Sequence, residues 1–497
     1  MKLLDLLSGI RYKGDVSSQT KIERVLSDSQ QVQKNDLFLA MPSVSGKDIA
    51  PYVKEAIEKG AKVVLCSKET ARFFQKSSYE KSLVIVSDML KARAKIAAKL
   101  NPRQPAHLAA VTGTNGKTSS VHFFAQLCQG TQKSVGTIGT LGVTSSVSLK
   151  QDFLSKKNLT SPDPFLLHKI LNEMATEGVK YGALEASSHG LQQKRLDAIE
   201  LDVAAFTNLS HDHLDYHQTM EAYFAAKTRL FSELLKPGFT AVLNMDESHG
   251  HVLEKICKDR RHSLIRYGRE GNELRLLDVI LFEGGQRLTL DLLGKEVVIE
   301  IPLVGVFQVY NILCAIGMAI GVGLKIEDII PCLENLQNVP GRLEFIGKTK
   351  AGGGVFVDYA HTSDALESAL TSLKPHVKGL LTVVFGCGGD RDSEKRPLMG
   401  RVAWRHAQKI YVTDDNPRTE DPEMIRQQII TACPGANNVG NRLLAIEKAL
   451  KGLQKGNVCL IAGKGHETGQ LVGDTFYDFD DREVVREFLE KHGGTLA

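Results

Sequence analysis

The sequence predicts an α/β protein of three domains, and three observations support this. The chain has 497 residues, too many for one hydrophobic core and typical of two to four domains. Short apolar runs alternate with amphipathic stretches along most of its length, which is the pattern of α/β folds. A glycine-rich turn at 113–119 also lies between an apolar run and an amphipathic stretch, as a strand–loop–helix unit requires.

The first domain is predicted over residues 1–105. Its predicted strands are the apolar runs at 36–41, 61–66 and 82–87, with helical stretches between them. Two prolines in the polar stretch 101–107 indicate a linker to the next domain.

The central domain is predicted over 106–339 and the C-terminal domain over 340–497. In the central domain, strands are expected after the linker and at 181–186, 203–208 and 240–246, and the part from 274 to 304 alternates like antiparallel strands. The C-terminal domain repeats the α/β theme and is expected to be Rossmann-like. Its predicted strands are 354–360, 380–386, 409–415 and 458–463.

Composition excludes several classes of protein. The chain has 62 basic and 58 acidic residues without a dense Lys/Arg block, so we expect no nucleic-acid partner. No stretch reaches the roughly 18 apolar residues of a membrane span, so no membrane insertion is expected. The eight cysteines form no C-x-x-C pair, which indicates neither a zinc knuckle nor a disulfide framework. A reducing, cytoplasmic setting fits these features.

The glycine-rich turn has the features of a phosphate-binding loop. Its glycines let backbone N–H groups face an anion, and the following helix adds the positive end of its dipole. Lys117 can neutralise β- and γ-phosphate charge, and Thr118 can offer a hydroxyl to Mg²⁺. The candidate ATP-binding residues are Gly113, Thr114, Asn115, Gly116, Lys117, Thr118 and Ser119.

Two features qualify this assignment of the turn. The alternative is an ordinary glycine turn, which the agreement of strand, loop, Lys-Thr pair and helix disfavours. The glycine spacing of the common Walker pattern would require a glycine at Val111. The shorter G-x-x-G-K-[ST] loop therefore points away from ordinary GTPases and kinases.

A second site is predicted where three strands of the C-terminal domain end. Ligands of open α/β sheets bind outside the carboxyl ends of the strands, so the loops after 385, 412 and 462 should form one pocket. Arg391 and Arg418 can bind carboxylates, whereas Asp415 and Glu467 can accept hydrogen bonds from ammonium groups. The predicted ligand is a zwitterion.

The segment that follows Arg418 is predicted to be structural in part. Asp421 and Pro422 have the N-cap acid and first-position proline of a helix start. Thr419 and Glu420 receive no assignment from the sequence.

Distinct motifs are spread along most of the chain. They are GTNGKT (113–118), LEASSHGLQQKR (184–195), FTNLSHDHLDYH (206–217), YFAAKTRLF (223–231), VPGRLE (339–344), VDYAHTSDAL (357–366), FGCGGDRDSEKRPLMG (385–400), TDDNPR (413–418) and AGKGHE (462–467). Together they resemble the motifs of the Mur ligases, the ATP-dependent amide-forming enzymes of peptidoglycan synthesis. The resemblance implies the three-domain Mur ligase architecture and, within the family, the members that add the third amino acid of the stem peptide.

The resemblance implies an acyl-phosphate reaction with Mg²⁺ and ATP. The implied catalytic residues are Lys117, Glu185, His213 and Lys227. The implied metal ligands are Thr118, Glu185, His213 and Lys227, the last carbamylated so that a cation becomes an anionic oxygen donor. From sequence alone, His213 would be interpreted as a structural loop histidine and Lys227 as a solvated helix lysine.

The resemblance also implies where a UDP-N-acetylmuramoyl peptide binds. Ser27 and Ser29 occupy positions that contact uridine, although Gln30 stands where a basic residue is usual. Pro42-Ser43-Val44 replaces a loop that often contains His-Gln-Ala. The implied muramoyl-peptide contacts are Thr160, Ser161, Ser187, Gln193 and Arg195.

For the amino-acid substrate, the resemblance implies meso-2,6-diaminopimelate. Its implied contacts are Arg391, Asp415, Asn416, Pro417, Arg418, Gly463 and Glu467. L-Lysine has a cation at its far end that an arginine would repel, whereas diaminopimelate has a second carboxylate that Arg418 can bind in a bidentate manner.

Several alternatives remain open at this point. The implied partners are the substrates UDP-N-acetylmuramoyl-L-alanyl-D-glutamate, meso-2,6-diaminopimelate and ATP. The protein that acts on them is expected to be a cytoplasmic monomer. The chain could instead be a lysine-adding relative, a folylpolyglutamate synthase, a nucleotide-dependent switch, or a degenerate ligase retained for binding. The Arg418 side chain disfavours the lysine-adding relative, and the intact set of catalytic residues disfavours degeneration.

Overall fold

The computed structural model describes residues 1–42, 48–150, 160–282 and 284–497. The chain divides into two compact units. The first unit comprises Met1–Leu108, Ser134–Leu201 and Ser232–Lys236, and the second comprises Ala109–Lys133, Asp202–Phe231 and Pro237–Ala497.

The helices are numbered in chain order over the described residues. They are α1 (Leu3–Leu7), α2 (Ala50–Glu58), α3 (Lys68–Arg72), α4 (Met89–Leu100), α5 (Lys117–Gly130), α6 (Pro164–Thr176), α7 (Ser188–Gln192), α8 (Leu214–His217), α9 (Met220–Arg229), α10 (Ser248–Asp259), α11 (Val306–Gly321), α12 (Ile326–Ile329), α13 (Ser363–Leu373), α14 (Lys395–His406), α15 (Pro422–Ile430), α16 (Arg442–Lys451) and α17 (Asp481–Lys491).

The strands are numbered in the same way. They are β1 (Tyr12–Lys13), β2 (Val25–Leu26), β3 (Leu37–Leu39), β4 (Val63–Cys66), β5 (Leu83–Val86), β6 (His107–Thr112), β7 (Val135–Gly139), β8 (Gly142–Ser145), β9 (Tyr181–Glu185), β10 (Val203–Phe206), β11 (Thr240–Asn244), β12 (Ser263–Gly268), β13 (Leu274–Phe282), β14 (Gly285–Leu292), β15 (Lys295–Ile301), β16 (Glu344–Lys348), β17 (Gly354–Asp358), β18 (Leu381–Phe385), β19 (Lys409–Val412), β20 (Asn437–Asn438), β21 (Val458–Ala462), β22 (Gly469–Val472), β23 (Thr475–Asp478) and β24 (Thr495–Leu496).

The first unit contains a sheet in the order β1-β5-β4-β3-β2, in which β2 to β5 are parallel and β1 is antiparallel. Apolar residues cover both of its faces. Parallel strands buried on both faces appear in sequence as continuous apolar runs, and this explains why β3, β4 and β5 could be predicted. The same unit contains β9, β7 and β8, with β9 and β7 parallel and β8 antiparallel to β7.

In the second unit, β6, β10, β11 and β12 form a parallel set, which β13, β14 and β15 extend mainly as antiparallel neighbours. The antiparallel segment predicted at 274–304 is confirmed. Helix α5 follows β6 directly, and the turn between them is the candidate phosphate loop.

The C-terminal part of this unit has a sheet in the order β20-β19-β18-β21-β17-β16-β24. The four predicted strands β17, β18, β19 and β21 are confirmed, and they are parallel. Separate apolar clusters cover the two faces of this sheet. The doubly covered sheet leaves its carboxyl edge open for ligands.

The predicted helix start after Arg418 is also confirmed. The Asp421 carboxylate caps α15 by accepting a hydrogen bond from the Glu423 backbone N–H at 2.9 Å, and Pro422 is the first helical residue. In the described part of the chain, no helix is long and apolar enough to cross a membrane.

Candidate functional site

The candidate phosphate loop requires glycine at both ends. Gly116 has a left-handed φ of 86°, and a Cβ there would lie 2.3 Å from Oδ1 of Asn311. A Cβ at Gly113 would lie 1.8 Å from Oγ1 of Thr207. Hydrogen bonds fix the loop, because the Asn115 N–H donates to Oδ1 of Asn208 at 2.9 Å and its carbonyl accepts from Thr207 at 2.6 Å. The loop is thus a rigid turn at the N-terminus of α5.

The side chains of the loop are packed against it. Lys117 Nζ donates to the carbonyls of Gly113 and Thr114, each at 2.8 Å. The Thr118 hydroxyl accepts from Nη2 of Arg342 at 3.1 Å, and both Thr118 and Ser119 are buried. Two cationic groups therefore lie beside backbone N–H groups, an arrangement that suits a polyphosphate.

Lys227 is enclosed by the same loop. Its side chain is 1% exposed, Nζ donates to the Gly113 carbonyl at 2.8 Å, and Nζ lies 4.3 Å from the centre of the Tyr223 ring. Burial, with a smaller effect from the charge of Lys117, lowers the pKa of Lys227 well below its ordinary value. The interpretation of this residue as a solvated helix lysine is wrong.

His213 lies in the loop before α8 with a left-handed φ of 55°. The backbone N–H of His213 donates to Oδ1 of Asp212 at 2.9 Å, and the ring Nε2 lies 3.5 Å from Oδ2 of the same carboxylate. Burial alone would raise the pKa of Asp212, but the nearby charges of His213, His361 and Lys117 lower it overall. An ionised carboxylate therefore lies next to the His213 imidazole.

Sequence reasoning missed a cationic and aromatic cluster in this unit. The Arg342 guanidinium lies 4.4 Å from the ring centre of Tyr359, and that ring lies 4.6 Å from His361 and 5.0 Å from His466. Arg342 also reaches Thr118, as described above. The motifs that contain these residues were recognised, but nothing local indicated that they meet.

The segment GVFQVYN (305–311) resembles the Mur ligase motif G-x-F-N-x-x-N with Gln308 where asparagine is usual, and the structure accommodates the glutamine. The side chain is buried, Oε1 accepts from Nδ2 of Asn311 at 2.9 Å, and Nε2 donates to the Arg342 carbonyl at 3.3 Å. The extra methylene of glutamine thus lets its amide bridge two residues that contact the phosphate loop.

The first unit brings together the residues predicted to bind the muramoyl peptide. The Ser161 hydroxyl lies 3.0 Å from that of Ser187 and donates to the Glu185 carbonyl at 2.9 Å. Arg195 donates from Nη1 to the Ser161 carbonyl at 2.7 Å and from Nη2 to Oε1 of Gln193 at 2.6 Å. These contacts form a polar cluster at the N-terminus of α7.

Glu185 ends β9 beside this cluster. Its carboxylate is buried and accepts from the Thr140 N–H at 2.7 Å and from the Thr140 hydroxyl at 3.0 Å. The Thr140 hydroxyl also lies 3.1 Å from that of Thr160. A buried carboxylate held in one orientation is a type of ligand that Mg²⁺ commonly takes in proteins.

The predicted uridine contacts differ in exposure. Ser27 is exposed, whereas Ser29 is buried and its hydroxyl donates to Oε2 of Glu55 at 2.6 Å. Of the departures from the family pattern, Gln30 and Pro42 are described, but Ser43 and Val44 lie outside the described residues.

The three loops at the carboxyl edge of the C-terminal sheet meet as expected. The Gly389 N–H donates to the Asn416 carbonyl at 2.9 Å, and a Cβ at Gly463 would lie 2.9 Å from Oδ2 of Asp415. Nδ2 of Asn416 donates to Oε2 of Glu467 at 3.1 Å. Pro417 is buried in the middle loop.

The two arginines of this pocket are placed differently. Arg418 is half-buried and donates from Nη1 to the Gly389 carbonyl at 2.7 Å, with a longer contact of 3.4 Å to the Asn416 carbonyl. Its Nε and Nη2 atoms, which form the other edge of the guanidinium, make no hydrogen bond within the described residues. Arg391 is exposed on the neighbouring loop.

Lys464 is a buried cation of the pocket that sequence reasoning missed. Its side chain is fully buried, and Nζ donates to Oδ1 of Asn416 at 3.1 Å and to Oε2 of Glu467 at 3.2 Å. This lysine holds two predicted amino-acid contacts in one orientation. It compensates part of the Glu467 charge inside the fold.

The described residues contain no preformed group of three or more His, Cys, Asp or Glu side chains that could hold a metal ion. The candidate donors are instead a threonine hydroxyl, a carboxylate and an imidazole. Mg²⁺ usually binds proteins through one or two carboxylates together with substrate phosphates and water, so the hydroxyl and the carboxylate each suit it as oxygen donors, whereas imidazole is a less common ligand.

Comparison with known proteins agrees with this arrangement. Family models described as Mur ligase family, catalytic domain; Mur ligase middle domain; and Mur ligase, glutamate ligase domain match residues 21–104, 111–319 and 341–465. UDP-N-acetylmuramoyl-L-alanyl-D-glutamate–2,6-diaminopimelate ligase of Rhizobium meliloti is 41% identical over 98% of this chain and 99% of its own.

Two further comparisons extend the agreement. The enzyme of the same name from Bradyrhizobium diazoefficiens is 41% identical over 98% of this chain and 99% of its own. A solved structure of a ligase with that name covers 100% of both chains at 31% identity and a TM-score of 0.70.

The fold and the phosphate loop, taken with these relatives, define an ATP-dependent ligase that forms amide bonds. The chain belongs to the Mur ligase family.

Proposed function

We propose that this chain joins meso-2,6-diaminopimelate to UDP-N-acetylmuramoyl-L-alanyl-D-glutamate through an acyl-phosphate, in the cytoplasmic synthesis of peptidoglycan precursors. The choice of amino acid rests on the placement of the Arg418 side chain. One edge of its guanidinium is bound to the Gly389 carbonyl, and the Nε–Nη2 edge has the fork geometry that a carboxylate requires. The names of the relatives support the same choice.

The chemistry begins at a substrate carboxylate, which is a poor acyl donor. Transfer of the γ-phosphoryl group of ATP to this carboxylate gives an acyl-phosphate and ADP, and attack by the amine then forms the amide and releases phosphate. The transferred phosphoryl group spreads negative charge over its oxygens. Lys117 and Arg342 provide positive charge beside the loop, and the loop N–H groups orient the phosphates.

On the basis of the family resemblance, we assign metal-binding roles to Thr118, Glu185, His213 and a carbamylated Lys227. When bound, Mg²⁺ would neutralise phosphate charge. Carbamylation requires a neutral amine, because the amine nitrogen attacks CO₂ and loses a proton to give the carbamate. The burial of Lys227 supports this step, since its lowered pKa makes the neutral amine accessible.

The amino-acid pocket would bind both poles of diaminopimelate. Arg418 takes a carboxylate, whereas Asp415 and Glu467 offer oxygens to ammonium groups, with Arg391, Asn416, Pro417 and Gly463 completing the pocket. The muramoyl peptide would use Thr160, Ser161, Ser187, Gln193 and Arg195, and uridine would use Ser27 and Ser29. We also propose that the protein acts as a monomer.

We propose three domains at 1–105, 106–339 and 340–497. The ranges matched by the three family models lie within these bounds, which supports the division.

One assay tests the proposed function. ATP-dependent phosphate release is measured with UDP-N-acetylmuramoyl-L-alanyl-D-glutamate and either meso-diaminopimelate or L-lysine. We expect release with diaminopimelate and little with lysine. Equal rates for both amino acids would contradict the specificity, and release without any amino acid would favour a nucleotide switch.

A narrower test replaces the arginine. Arg418→Ala should raise KM for diaminopimelate by roughly a hundredfold, because a charged bidentate contact is lost, and should leave KM for ATP unchanged. Arg401→Ala is the matched control, since Arg401 is exposed on α14 and makes no side-chain hydrogen bond within the described residues. An unchanged KM for diaminopimelate in the Arg418 variant would remove its assigned role.

A further inference from the structure

Arg418 has a backbone conformation that other parts of the chain impose. Its φ is 52°, in the left-handed region that residues with a Cβ rarely adopt. Its N–H donates to the Leu471 carbonyl at 3.1 Å, and its carbonyl accepts from the Gly473 N–H at 2.7 Å. The β22–β23 hairpin therefore holds the backbone of Arg418, and the Gly389 carbonyl orients its guanidinium.

The position of that carbonyl depends on close contact between two loops. A Cβ at Gly389 would lie 1.9 Å from the Pro417 carbonyl oxygen, so only glycine allows the approach. The Asp390 N–H donates to Oε1 of Glu420 at 2.5 Å. In return, the Asp390 carboxylate accepts from the Thr419 N–H at 3.1 Å and from the Thr419 hydroxyl at 2.8 Å. Thr419 and Glu420 thus bind the loop that supports Arg418.

Arg396 connects this contact to the core. Its side chain is 1% exposed, and Nη2 donates to Oε1 of Glu420 at 2.9 Å and to the Gly388 carbonyl at 3.2 Å. Nη1 donates to Oε1 of Gln428 on α15 at 2.8 Å. The hydrogen bond from Arg396 lowers the pKa of Glu420, so its carboxylate stays ionised at neutral pH.

We propose that Arg396 and Glu420 are positioning residues that hold the Gly389 carbonyl against the Arg418 guanidinium and so determine the selectivity of the amino-acid pocket; this rests on the proposed function. Neither side chain needs to touch the substrate. A shift of about 1 Å in a supporting group is enough to spoil a bidentate contact, which explains why a buried, charge-assisted network supports one arginine.

The experiment compares steady-state kinetics of Glu420→Ala, Glu420→Gln and Thr419→Val with those of the wild type. Glu420→Ala should raise KM for diaminopimelate roughly ten- to hundredfold, because it removes the carboxylate that accepts hydrogen bonds from the Arg396 guanidinium and the Asp390 backbone N–H. Glutamine retains an oxygen that can accept both bonds, so it should restore part of the loss. Thr419→Val removes the hydroxyl bond to the Asp390 carboxylate but keeps the backbone N–H bond to the same group, so it should raise KM only about fivefold.

Two readouts separate positioning from general destabilisation. KM for ATP should stay unchanged in each variant, and the ratio of kcat/KM for diaminopimelate to that for L-lysine should fall in Glu420→Ala. Glu487→Ala on α17 is the matched control, because Glu487 is exposed and makes no side-chain hydrogen bond in the described part of the chain.

Each outcome decides the inference. An unchanged KM for diaminopimelate in Glu420→Ala would overturn it, as would an equal loss for ATP and diaminopimelate without rescue by glutamine. Wild-type protein that makes no product with diaminopimelate would overturn the proposed function and this inference with it. That failure is distinguishable, because it is seen before any substitution.

Discussion

Lys227 has its Nζ enclosed between the Tyr223 ring and the Gly113 carbonyl, and this environment disfavours the ammonium form. A neutral amine at this position is a nucleophile rather than a point charge. Its pKa is lowered first by burial and then by the charge of Lys117, so the neighbouring cation of the phosphate loop also favours the reactive form.

Lys227→Ala should lower kcat at least about a hundredfold, as expected when one preorganised charged group is removed from a phosphoryl-transfer site. Added short carboxylic acids should restore part of the activity, because they can place a carboxylate where the carbamate would lie. Rates are measured with and without acetate. Lys255→Ala, on the exposed face of α10, serves as the control. A fully active alanine variant would remove the proposed role.

Asp358 predicts a pH-dependent stability. Burial raises its pKa to about 6, despite the opposing effects of Arg342 and of N–H donors from Leu343 and Ala360. The folded state therefore holds this proton more tightly than the unfolded chain, whose aspartate pKa is about 3.9. The resulting stabilisation is complete below about pH 4 and is lost as the pH rises through about 6.

Asp358→Asn cannot ionise and should lose less stability between about pH 4.5 and pH 7 than the wild type, by about 1–3 kcal/mol. The measurement is Tm of both proteins across this pH range. Parallel pH profiles for the two proteins would show that the carboxyl group does not titrate in this window.

At the scale of single residues, the sequence indicated which side chains are functional candidates better than it indicated whether those side chains are buried. Lys117 was predicted to be functional because the strand, the glycine-rich loop and the helix around it form a recognisable local sequence pattern. The burial of Lys227, Lys464 and Arg396 has no clear local signal, since each contacts residues distant in the chain. Glu420 stayed unassigned for the same reason, because its partner Arg396 is 24 residues away.

Among the elements, the parallel strands of the C-terminal sheet were predictable because both faces are buried and the runs are continuously apolar. The carboxyl ends of these strands were expected at one edge of the sheet, which made the meeting of the three loops predictable as well. The β22–β23 hairpin was not predicted, and its contribution to Arg418 is made by backbone hydrogen bonds, which depend little on side-chain identity.

Gly389→Ala tests the contact between the loops. The added methyl group would meet the Pro417 carbonyl, so one loop must move and KM for diaminopimelate should rise more than about tenfold, with KM for ATP unchanged. Gly452→Ala is the matched control, because a Cβ there meets nothing within 4 Å and its φ is negative. Equal kinetics for the two variants would contradict the required close approach.

At the scale of the whole molecule, all eight cysteines are free thiols, and only Cys332 is not fully buried. Burial raises the pKa of most of these thiols to about 11 or 12, which suppresses the reactive thiolate. The protein should therefore tolerate thiol reagents while it is folded.

Burial and the charge of Asp328 raise the pKa of Cys332 too, but its side chain is partly exposed, so an aromatic disulfide reagent should modify this one thiol faster than the others in the native protein and all eight in denaturant. Absorbance of the released thiolate measures the count. Cys332→Ser should abolish the rapid phase, and rapid modification of several thiols in that variant would contradict the burial of the others.

The left-handed backbone at Arg418 has a consequence for protein engineering. The Asp-Asn-Pro-Arg tetrapeptide does not contain the information that directs its arginine, because the hairpin fixes the backbone and the glycine loop fixes the guanidinium. Grafting these four residues into a lysine-adding relative should therefore not transfer the preference for diaminopimelate over L-lysine. A transferable module would have to include 386–396, 415–428 and 469–478 together.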